Sequence, residues 1–391
     1  MNQTNRHKLS SVKLQGFKSI RPEGQRIEFK DITVLLGANG SGKSNLVSFF
    51  NMLHSMMNEN LQIYIGENGT SETILYYGMK TTNRLSAEIE FTKFEGNDEG
   101  NDEGNDEGKD IYKFSLAHAV GDRLIFTEET IRDRQPGRPN PYTWTFAPGL
   151  NESGLPDRAI NPNNQTERVL CDLLKGCRVF QFHDTSNQAK IRNKGYIEDN
   201  RFLRSDGGNL AAFLYGMQNR HETHKYYQRI IRYIQQIMPQ FGGFELTPSR
   251  LNENYIILNW KEKGSDYLFG PHQISDGSLR FMAIATLLLQ PPETLPAVII
   301  LDEPELGLHP SAISIFAGMV KTASIHCQIV MATQSPRLVD EFEAENITIV
   351  ERDIKNRCSE FKSLDADKLT EWLDRYSMSE LWEKNVIGGQ P

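Results

Sequence analysis

Two hydrophobic patterns alternate along this chain of 391 residues. Regular alternation of apolar and polar positions, as at Leu85, Ala87, Ile89 and Phe91, is typical of half-buried strands. We therefore predict strands over these ranges: Ser11–Phe17, Arg26–Leu36, Asn68–Phe94, Ile111–Ala119, Leu124–Arg132, Arg178–Phe182, Gly243–Leu246, Tyr255–Trp260, Cys327–Ala332 and Ile347–Arg352.

Helical spacing of apolar residues dominates other blocks. Residues 187–240 read as mainly helical, with helices over Asn209–Met217 and Glu222–Met238, and Phe281–Leu289 reads as a nearly apolar helix. The basic residues of the second helix (Lys225, Arg229 and Arg232) fall opposite its apolar side. That side is either a solvated charged face or a contact for nucleic acid or a partner.

A tetrapeptide, Gly-Asn-Asp-Glu, repeats three times over residues 96–107. A segment without apolar residues cannot repay its ordering entropy, so we expect a disordered hairpin tip between two strands. Its acids lack the spacing of a calcium loop, and we expect no calcium site. Residues 95–110 hold eight acids and one lysine, hence −7 of the net charge of −8, so the overall acidity does not exclude a nucleic-acid-binding face.

The cysteines and the apolar runs indicate the cellular compartment of the protein. Cys171, Cys177, Cys327 and Cys358 form no C-x-x-C pair, which favours reduced thiols acting as small apolar side chains rather than metal ligands. Residues 1–10 lack the apolar core of a signal peptide, and Phe281–Leu289 is too short to span a membrane. We expect a cytoplasmic protein that makes no membrane contact.

One segment fits the pattern G-x-x-x-x-G-K-[ST] of a phosphate-binding loop: Gly37-Ala38-Asn39-Gly40-Ser41-Gly42-Lys43-Ser44. The apolar run Ile32–Leu36 precedes it and a helical pattern from Asn45 follows, which is the required context. The loop N–H groups and the helix N-terminus are suited to phosphate. We expect Lys43 to reach the β- and γ-phosphates of the nucleotide and the Ser44 hydroxyl to ligate Mg²⁺.

A second motif is the apolar run Ala297–Leu301, which is closed by Asp302, Glu303 and Pro304. A strand that is apolar on both faces belongs inside a parallel sheet. At its carboxyl end we expect Asp302 to lie in the Mg²⁺ shell and Glu303 to orient or deprotonate the attacking water. Together with the phosphate loop, this motif predicts nucleotide hydrolysis.

Three further motifs narrow the class: Ser275-Asp276-Gly277-Ser278 at a helix start, Leu306-Gly307-Leu308-His309-Pro310, and Thr333-Gln334-Ser335-Pro336. With the first two motifs and in this order, they resemble the ATP-binding-cassette (ABC) ATPases of the RecF/SMC/OLD group. More narrowly, the chain resembles small bacterial ATPases of anti-phage defence gene pairs, also through Glu371–Tyr376 and Leu381–Gly389. The resemblance covers residues 1–55 and 272–391 well and the middle loosely. It implies an α/β fold: an ABC-type ATPase head with a mixed or parallel sheet, an antiparallel β subdomain and a short helical insertion.

The resemblance implies that ATP binds between two heads. Ser275 and Gly277 would then act in trans on the γ-phosphate, so a competent site needs a homodimer or a higher oligomer. Gln334 occupies the switch position, where histidine is common in the group. A glutamine can hydrogen-bond the γ-phosphate, yet it does not titrate near neutrality.

Two further positions gain roles only from the resemblance. Lys18 lies where the group often keeps a basic residue near the nucleotide; the alternative is an ordinary exposed lysine at a strand end. Gln181 or His183 would reach the Mg²⁺ or the attacking water; the alternative is a structural hydrogen bond.

We expect three parts in the chain: an ATPase lobe with the phosphate loop and β subdomain (8–186, with 95–110 as the disordered acidic repeat), a helical insertion with return strands (187–260), and a second lobe with the remaining motifs (261–391). About 55 residues follow Pro336, too few for the nuclease domain of OLD-type relatives. We therefore expect a sensor or scaffold ATPase that controls a separate effector protein encoded nearby, in anti-phage defence.

The alternative function is a RecF-like DNA-repair ATPase that binds DNA and has no toxic effector. One stretch bears on it, since Gln135–Pro148 and the residues before it interleave basic and aromatic side chains: Arg132, Arg134, Arg138, Tyr142 and Trp144. This composition suits either a grip on single-stranded nucleic acid or a solvated loop with a packed aromatic. A transporter ATPase subunit fits less well with the signature, which is the motif Ser275-Asp276-Gly277-Ser278.

Overall fold

A computed structural model describes residues 5–95, 108–135 and 140–390. The acidic repeat at 96–107 and Arg138 lie outside these ranges, so the expectations for them stay predictions. The chain divides into two compact units. The first unit comprises Met1–Arg178, Ala344–Tyr376 and Glu380–Pro391, and the second comprises Val179–Glu343 and Ser377–Ser379.

The strands of the described ranges are β1 (Asn5–Gln15), β2 (Gln25–Glu28), β3 (Ile32–Leu36), β4 (Arg84–Glu95), β5 (Gly108–Ala119), β6 (Arg123–Arg134), β7 (Tyr142–Thr145), β8 (Cys177–Phe180), β9 (Gly195–Tyr196), β10 (Phe241–Glu245), β11 (Tyr255–Ile256), β12 (Asn259–Glu262), β13 (Leu268–Phe269), β14 (Val298–Asp302), β15 (Gln328–Thr333), β16 (Ile347–Asp353) and β17 (Cys358–Ser363).

The α-helices of the same ranges are α1 (Lys43–Met56), α2 (Leu61–Glu67), α3 (Ser71–Ile74), α4 (Leu155–Ala159), α5 (Gln165–Lys175), α6 (Leu210–Asn219), α7 (His221–Ile237), α8 (Asp276–Leu289), α9 (Pro310–Ala323), α10 (Pro336–Val339), α11 (Ala366–Leu373) and α12 (Met378–Glu383). None of them is long and apolar enough to cross a membrane.

The first unit contains a six-stranded sheet with the order β2-β1-β4-β5-β6-β7, and its neighbouring strands pair antiparallel. Strand β4 pairs with β5 from Arg84↔Ala117 to Lys93↔Gly108. The alternating residues Leu85, Ala87, Ile89 and Phe91 are all buried, at most 2% exposed. The predicted antiparallel β subdomain is confirmed, because alternation buries one face of the sheet.

A second group of strands in the first unit leads into the phosphate loop. Strand β3 pairs in parallel with β16, and β16 pairs antiparallel with β17. All five residues of β3 are buried, so the strand is covered on both faces. The predicted strand Ile347–Arg352 matches β16, whereas β17 was not predicted.

The second unit pairs β14 in parallel with β15, from Val298↔Gln328 to Asp302↔Ala332. Four of the five β14 residues are buried, as expected for a strand covered on both faces. The predicted helices correspond to α6, α7 and α8. Helix α7 buries Tyr227, Ile230, Ile231 and Ile234 and leaves Lys225 and Arg232 exposed.

Four predicted elements were wrong in extent. The predicted strand Tyr255–Trp260 is divided into β11 and β12, which belong to different sheets. The strand Arg26–Leu36 is interrupted between β2 and β3, where the Lys30 N–H bonds the Thr33 hydroxyl over 3.0 Å. Asn68–Phe94 begins with the short helix α3 rather than with a strand. Residues 187–209 are mostly not helical, since the Asn209 side chain bonds the carbonyl oxygens of Asp199 and Phe202 and so holds irregular backbone.

The four cysteines are buried thiols, and none of the four forms a disulfide. Burial raises the pKa of the Cys177 thiol to about 12, which makes it unreactive. The thiol of Cys358 lies with carboxylates of Asp353 and Glu360 within 4.8 Å. The acids have protein partners, because Asp353 accepts from Asn356 and Glu360 pairs with Lys362. This grouping follows from the β16–β17 register, which places Asp353 opposite Cys358.

Candidate nucleotide-binding and catalytic residues

The phosphate loop connects β3 directly to α1. Gly42 is the N-cap of α1 and has a φ of 113°, in the left-handed region that favours glycine. A Cβ atom at Gly42 would lie 2.0 Å from the Ser359 hydroxyl oxygen. Both the backbone conformation and this close approach therefore require glycine at the last turn of the loop.

Lys43 begins α1 and its side chain folds back over the loop. Its ammonium group donates to the Gly37 carbonyl oxygen over 2.6 Å and to the Ala38 carbonyl oxygen over 3.0 Å. Lys43 is 5% exposed, so this cation is held by the backbone at the helix N-terminus. A cation and the positive end of a helix dipole at one place favour an anionic ligand such as phosphate.

The remaining loop residues differ in exposure. Asn39 and Gly40 are exposed at the tip, and Ser41 is buried. Ser44, the second residue of α1, is exposed, so its hydroxyl is accessible to a ligand. The Asn45 amide instead donates to the Ser19 hydroxyl over 2.6 Å, which makes Asn45 part of the support of the loop.

A buried serine supports the loop from strand β17. The Ser359 hydroxyl oxygen lies 2.5 Å from the Ser41 carbonyl oxygen and 2.7 Å from the Ser19 hydroxyl oxygen. Ser359 is 3% exposed, so this contact satisfies a loop carbonyl away from water. Sequence reasoning missed Ser19 and Ser359, and no motif could have identified them, because 318 positions separate Ser359 from Ser41.

Lys18 contacts α1, the helix that follows the phosphate loop. Its ammonium group donates to the Ser48 hydroxyl over 2.6 Å, and burial lowers its pKa. Ser48 is four residues after Ser44, so the two serines share a face of α1. Lys18 also has a φ of 47°, which is uncommon for a non-glycine residue. This placement differs from an ordinary exposed lysine at a strand end.

In the second unit, the candidate catalytic acids follow β14. Glu303 has a φ of 43°, and its N–H donates to the Ala332 carbonyl oxygen of β15 over 2.8 Å. The side-chain amide of Gln334, just after β15, donates to Glu303 Oε1 over 3.2 Å. The parallel pairing of β14 and β15 thus brings together two predicted site residues that are 31 positions apart in sequence.

Glu305 is a further acid of this strand end that sequence reasoning did not single out. Its Oε1 accepts a short hydrogen bond from the Thr333 hydroxyl, and burial raises the pKa of its carboxyl group. Its Oε2 is a buried oxygen without a hydrogen-bond partner among the described residues. The second glutamate of Asp302-Glu303-Pro304-Glu305 was the available signal.

His183 and Gln181 take different positions in the second unit. His183 Nε2 lies 2.7 Å from the Asp302 carbonyl oxygen, and the His183 carbonyl oxygen accepts from Arg280. The imidazole is therefore engaged in a structural contact with the strand end. The Gln181 side chain is exposed, and its backbone N–H donates to the Ser205 carbonyl oxygen over 2.9 Å.

Ser275 is the N-cap of α8, and its hydroxyl oxygen accepts from the Ser278 N–H over 3.2 Å. Asp276, the first residue of α8, pairs with Arg192 over 2.7 Å, and this bond lowers the pKa of Asp276. The buried Arg192 also donates to carbonyl oxygens of the segment before α8, at Pro271 and Ile274. Arg192 thus fixes the helix start, while Ser275 is exposed and Gly277 lies within the first turn.

The basic and aromatic stretch around β7 contains a packed aromatic. The Arg158 guanidinium lies 3.4 Å from the Trp144 ring centroid and bonds Glu167 over 2.6 Å. The Tyr142 hydroxyl donates to Glu167 over 2.9 Å. Tyr142 and Trp144 lie in strand β7 rather than in a loop, and the contact with Arg158 leaves Trp144 39% exposed.

Taken separately, the residues of each unit fit a magnesium nucleotide. The first unit offers a helix N-terminus, a backbone-held ammonium group and an exposed hydroxyl at Ser44, and the second offers carboxylates at the carboxyl end of a parallel strand. With the parallel strand pair, the phosphate loop and the antiparallel subdomain, the chain has the fold of an SMC head domain.

The chain belongs to the protein family described as "AAA domain, putative AbiEii toxin, Type IV TA system", which matches residues 32–340. A comparison with curated protein sequences finds no match.

Two solved structures share the fold. The SmcHead bound to the C-winged helix domain of ScpA has 15% sequence identity and a TM-score of 0.55, with 92% of this chain and 99% of that chain covered. The Smc head domain with an extended coiled coil, bound to the C-terminal domain of ScpA derived from Pyrococcus furiosus, has 15% identity and a TM-score of 0.55, with 94% and 99% covered. The ABC-type head predicted from the motifs is confirmed.

Proposed function

We propose that this protein binds ATP with Mg²⁺ and hydrolyses it slowly, as a homodimeric or higher oligomeric switch that controls a separate effector protein in bacterial anti-phage defence. The observation that carries the proposal is the Lys43 ammonium group held by the Gly37 and Ala38 carbonyl oxygens at the N-terminus of α1. This arrangement binds phosphate groups, since the helix dipole and the lysine act on the same anion.

Each site residue has a defined task in this proposal. Loop N–H groups and Lys43 bind the phosphates, Glu303 orients or deprotonates the attacking water, and Gln334 hydrogen-bonds the γ-phosphate. Ser44, Asp302 and Gln181 would hold Mg²⁺, which when bound neutralises charge on the phosphate oxygens. The 3.2 Å hydrogen bond between Gln334 and Glu303 supports the assignment. It connects the residue that would bind the γ-phosphate, Gln334, to the residue that would position the water, Glu303.

The dimer follows from the signature. Ser275 is exposed at the start of a 14-residue helix, and Arg192 fixes that start from a buried position. An exposed, rigid helix N-terminus is suited to bind the γ-phosphate held by a second copy of the chain. This arrangement makes hydrolysis depend on association, as a switch requires.

The effector and the defence role are supported by the family. Its description names a putative AbiEii toxin and a type IV toxin–antitoxin system, which is a two-component arrangement. In our proposal the ATPase stays in the cytoplasm and restrains or releases an effector encoded nearby. The trigger acts by changing the fraction of dimers that hold ATP.

A RecF-like role on DNA is the second candidate, and helix α7 favours it. Its exposed side carries Lys225 and Arg232, and the Lys225 ammonium lies 5.0 Å from the Tyr226 ring centroid. The Arg229 guanidinium lies 5.8 Å from the Tyr233 ring centroid. Cations beside aromatic rings suit the phosphates and bases of single-stranded DNA.

ATP turnover tests the proposal directly. The wild-type protein should hydrolyse ATP in the presence of Mg²⁺, and the rate per chain should fall when the protein is diluted below its dimer dissociation constant. A rate per chain that is independent of dilution would contradict the shared site. Co-purification with the product of the neighbouring gene supports the effector role, whereas stimulation of turnover by single-stranded DNA without such a partner supports the second candidate.

A further inference from the structure

The tail of the described chain makes a direct contact with the phosphate loop. The Ala38 N–H donates to the Gly389 carbonyl oxygen over 3.0 Å. The Gly389 N–H in turn donates to Glu351 Oε1 over 2.8 Å. One residue of the tail, Gly389, therefore bridges the loop and strand β16.

Glu351 is itself held in place. Its Oε2 pairs with the Lys362 ammonium over 3.0 Å, across the β16–β17 hairpin. Because one carboxylate oxygen binds Lys362 and the other binds Gly389, the tail is anchored to the same hairpin that carries Ser359. The phosphate loop is thus supported at two points. Ser359 of this hairpin contacts the Ser41 carbonyl oxygen, and the tail that is anchored to the hairpin contacts the Ala38 N–H.

The tail has little freedom to adopt another path. Gly388 has a φ of 83°, and a Cβ atom there would lie 2.1 Å from Glu351 Oε1. A Cβ atom at Gly389 would lie 3.1 Å from Nε1 of the buried Trp382. The Gln390 amide donates to the Trp382 carbonyl oxygen over 3.2 Å, which closes the turn after α12. A side chain at Gly388 would therefore strain the left-handed backbone and displace either the tail or the Glu351 carboxylate that holds it.

The contact with Ala38 acts on the carbonyl oxygens that bind Lys43. Lys43 donates to the carbonyl oxygens of Gly37 and Ala38. The peptide group between these two residues contains the Gly37 carbonyl and the Ala38 N–H, and this N–H donates to the Gly389 carbonyl oxygen. Fixing this peptide fixes the direction of the Gly37 carbonyl oxygen and so the position of the ammonium group. A loop that is ordered before binding loses less entropy when phosphate arrives.

We propose that Gly388-Gly389 is a positioning element that preorganises the phosphate loop for ATP, and that displacing this tail weakens nucleotide binding. The inference rests on the proposed nucleotide-binding function. It adds a residue pair far outside the nucleotide motifs, and a partner that pulls on the tail would thereby lower the occupancy of the site.

The test uses two variants that break the bridge in different ways. Gly388→Val introduces a side chain that conflicts with the Glu351 carboxylate and with the left-handed backbone at this position, and Glu351→Ala removes the acceptor of the Gly389 N–H. We expect each to raise the Kd for a fluorescent ATP analogue about tenfold. The double variant should bind the analogue with a Kd no higher than that of the single variant with the higher Kd, because both changes break the same connection.

Two matched controls and a stability measurement accompany these variants. Glu383→Ala makes the same change as Glu351→Ala at an exposed residue of α12, and Ser363→Ala changes an exposed residue of β17; neither residue takes part in the bridge. Both should keep the Kd within about twofold of the wild-type value. Thermal melts define an assay temperature at which every variant is folded, so that a lower Tm alone cannot change the Kd.

The outcomes separate this inference from the proposed function. If the wild-type protein shows no ATP binding that Lys43→Ala abolishes, the proposed function fails. If the wild-type protein binds ATP and both bridge variants bind it with the wild-type Kd, the positioning role is overturned while the proposed function stands. Equal losses in the bridge variants and the controls would also overturn it.

Discussion

The side-chain amide of Gln334 donates a hydrogen bond to Glu303 Oε1 over 3.2 Å. Glu303 follows β14 and Gln334 follows β15, and these neighbouring parallel strands end side by side at Asp302↔Ala332. In the proposed mechanism the glutamate positions the water and the glutamine contacts the γ-phosphate. In that mechanism, the contact between them would let the state of the phosphate influence the orientation of the carboxylate.

Replacing Glu303 should separate binding from turnover. Glu303→Gln keeps the shape and one acceptor oxygen but loses the negative charge, so ATP binding should be retained while turnover falls by about 100-fold or more. Size-exclusion chromatography with ATP should show more dimer than the wild-type protein does. Glu343→Gln, the same change at an exposed residue, is the control and should leave both quantities unchanged. Unaltered turnover in Glu303→Gln would remove Glu303 from the mechanism.

The switch residue predicts the pH profile of hydrolysis. Gln334 does not titrate, so the turnover number of the wild-type protein should show no step attributable to this position near pH 6.5, while Gln334→His should introduce a step at about pH 6.5. The measurement is kcat between about pH 5.5 and 8.5 for both proteins. A wild-type step that disappears in Gln334→Ala would contradict the assignment.

Mixing two inactive proteins tests the shared site. Ser275→Arg should abolish hydrolysis by placing a bulky cation at the start of α8, and Lys43→Ala should abolish nucleotide binding. A mixed dimer retains one intact pair of a phosphate loop and a signature from different chains. Equimolar mixing should therefore restore up to about a quarter of the wild-type rate, since half of the dimers are mixed and each holds one intact site. Mixtures that stay as inactive as the separate variants would argue against sites formed in trans.

Ser359 should matter for both stability and nucleotide binding. Ser359→Ala leaves the buried Ser41 carbonyl oxygen without the hydroxyl that lies 2.5 Å away, which costs about 1–3 kcal/mol of unfolding free energy. ATP binding should weaken too, because the same contact supports the loop. Urea unfolding and ATP titration measure the two effects. Ser363→Ala, at an exposed position of β17, is the matched control. An unchanged ATP affinity in Ser359→Ala would show that the loop does not need this support.

The stability of the protein should fall on acidification through His54 of α1. The pKa of His54 is lowered in the folded protein. Burial is the larger cause, and the positive charge of Arg178 is the second. Below pH ~6.5 the unfolded chain then binds a proton that the folded protein resists, so the free energy of unfolding decreases as the pH falls through this range. His54→Gln should flatten the difference in unfolding free energy between about pH 8 and 5.5.

The control for that prediction is His224→Gln, at an exposed position of α7. Urea unfolding at both pH values should give the same loss for this variant as for the wild-type protein. A wild-type loss that persists in full in His54→Gln would assign the acid sensitivity to other groups.

The sequence alone determined the class of the protein and the residues of its motifs. Glycine spacing around Lys43 and an apolar run ending at Asp302 are local patterns, and each is dictated by chemistry that acts within a few residues. The alternation at Leu85–Phe91 likewise determined the β subdomain, because the period of a strand is written in neighbouring residues.

Only the tertiary structure decided what holds these motifs in place. Ser359 reaches Ser41 and Gly389 reaches Ala38 because β16 pairs in parallel with β3 and brings the β16–β17 hairpin and the tail to the loop. The same holds for Gln334 and Glu303, which meet through strand pairing. Pairing between distant segments depends on how the whole core buries its apolar surface, and no local spacing of residues records it.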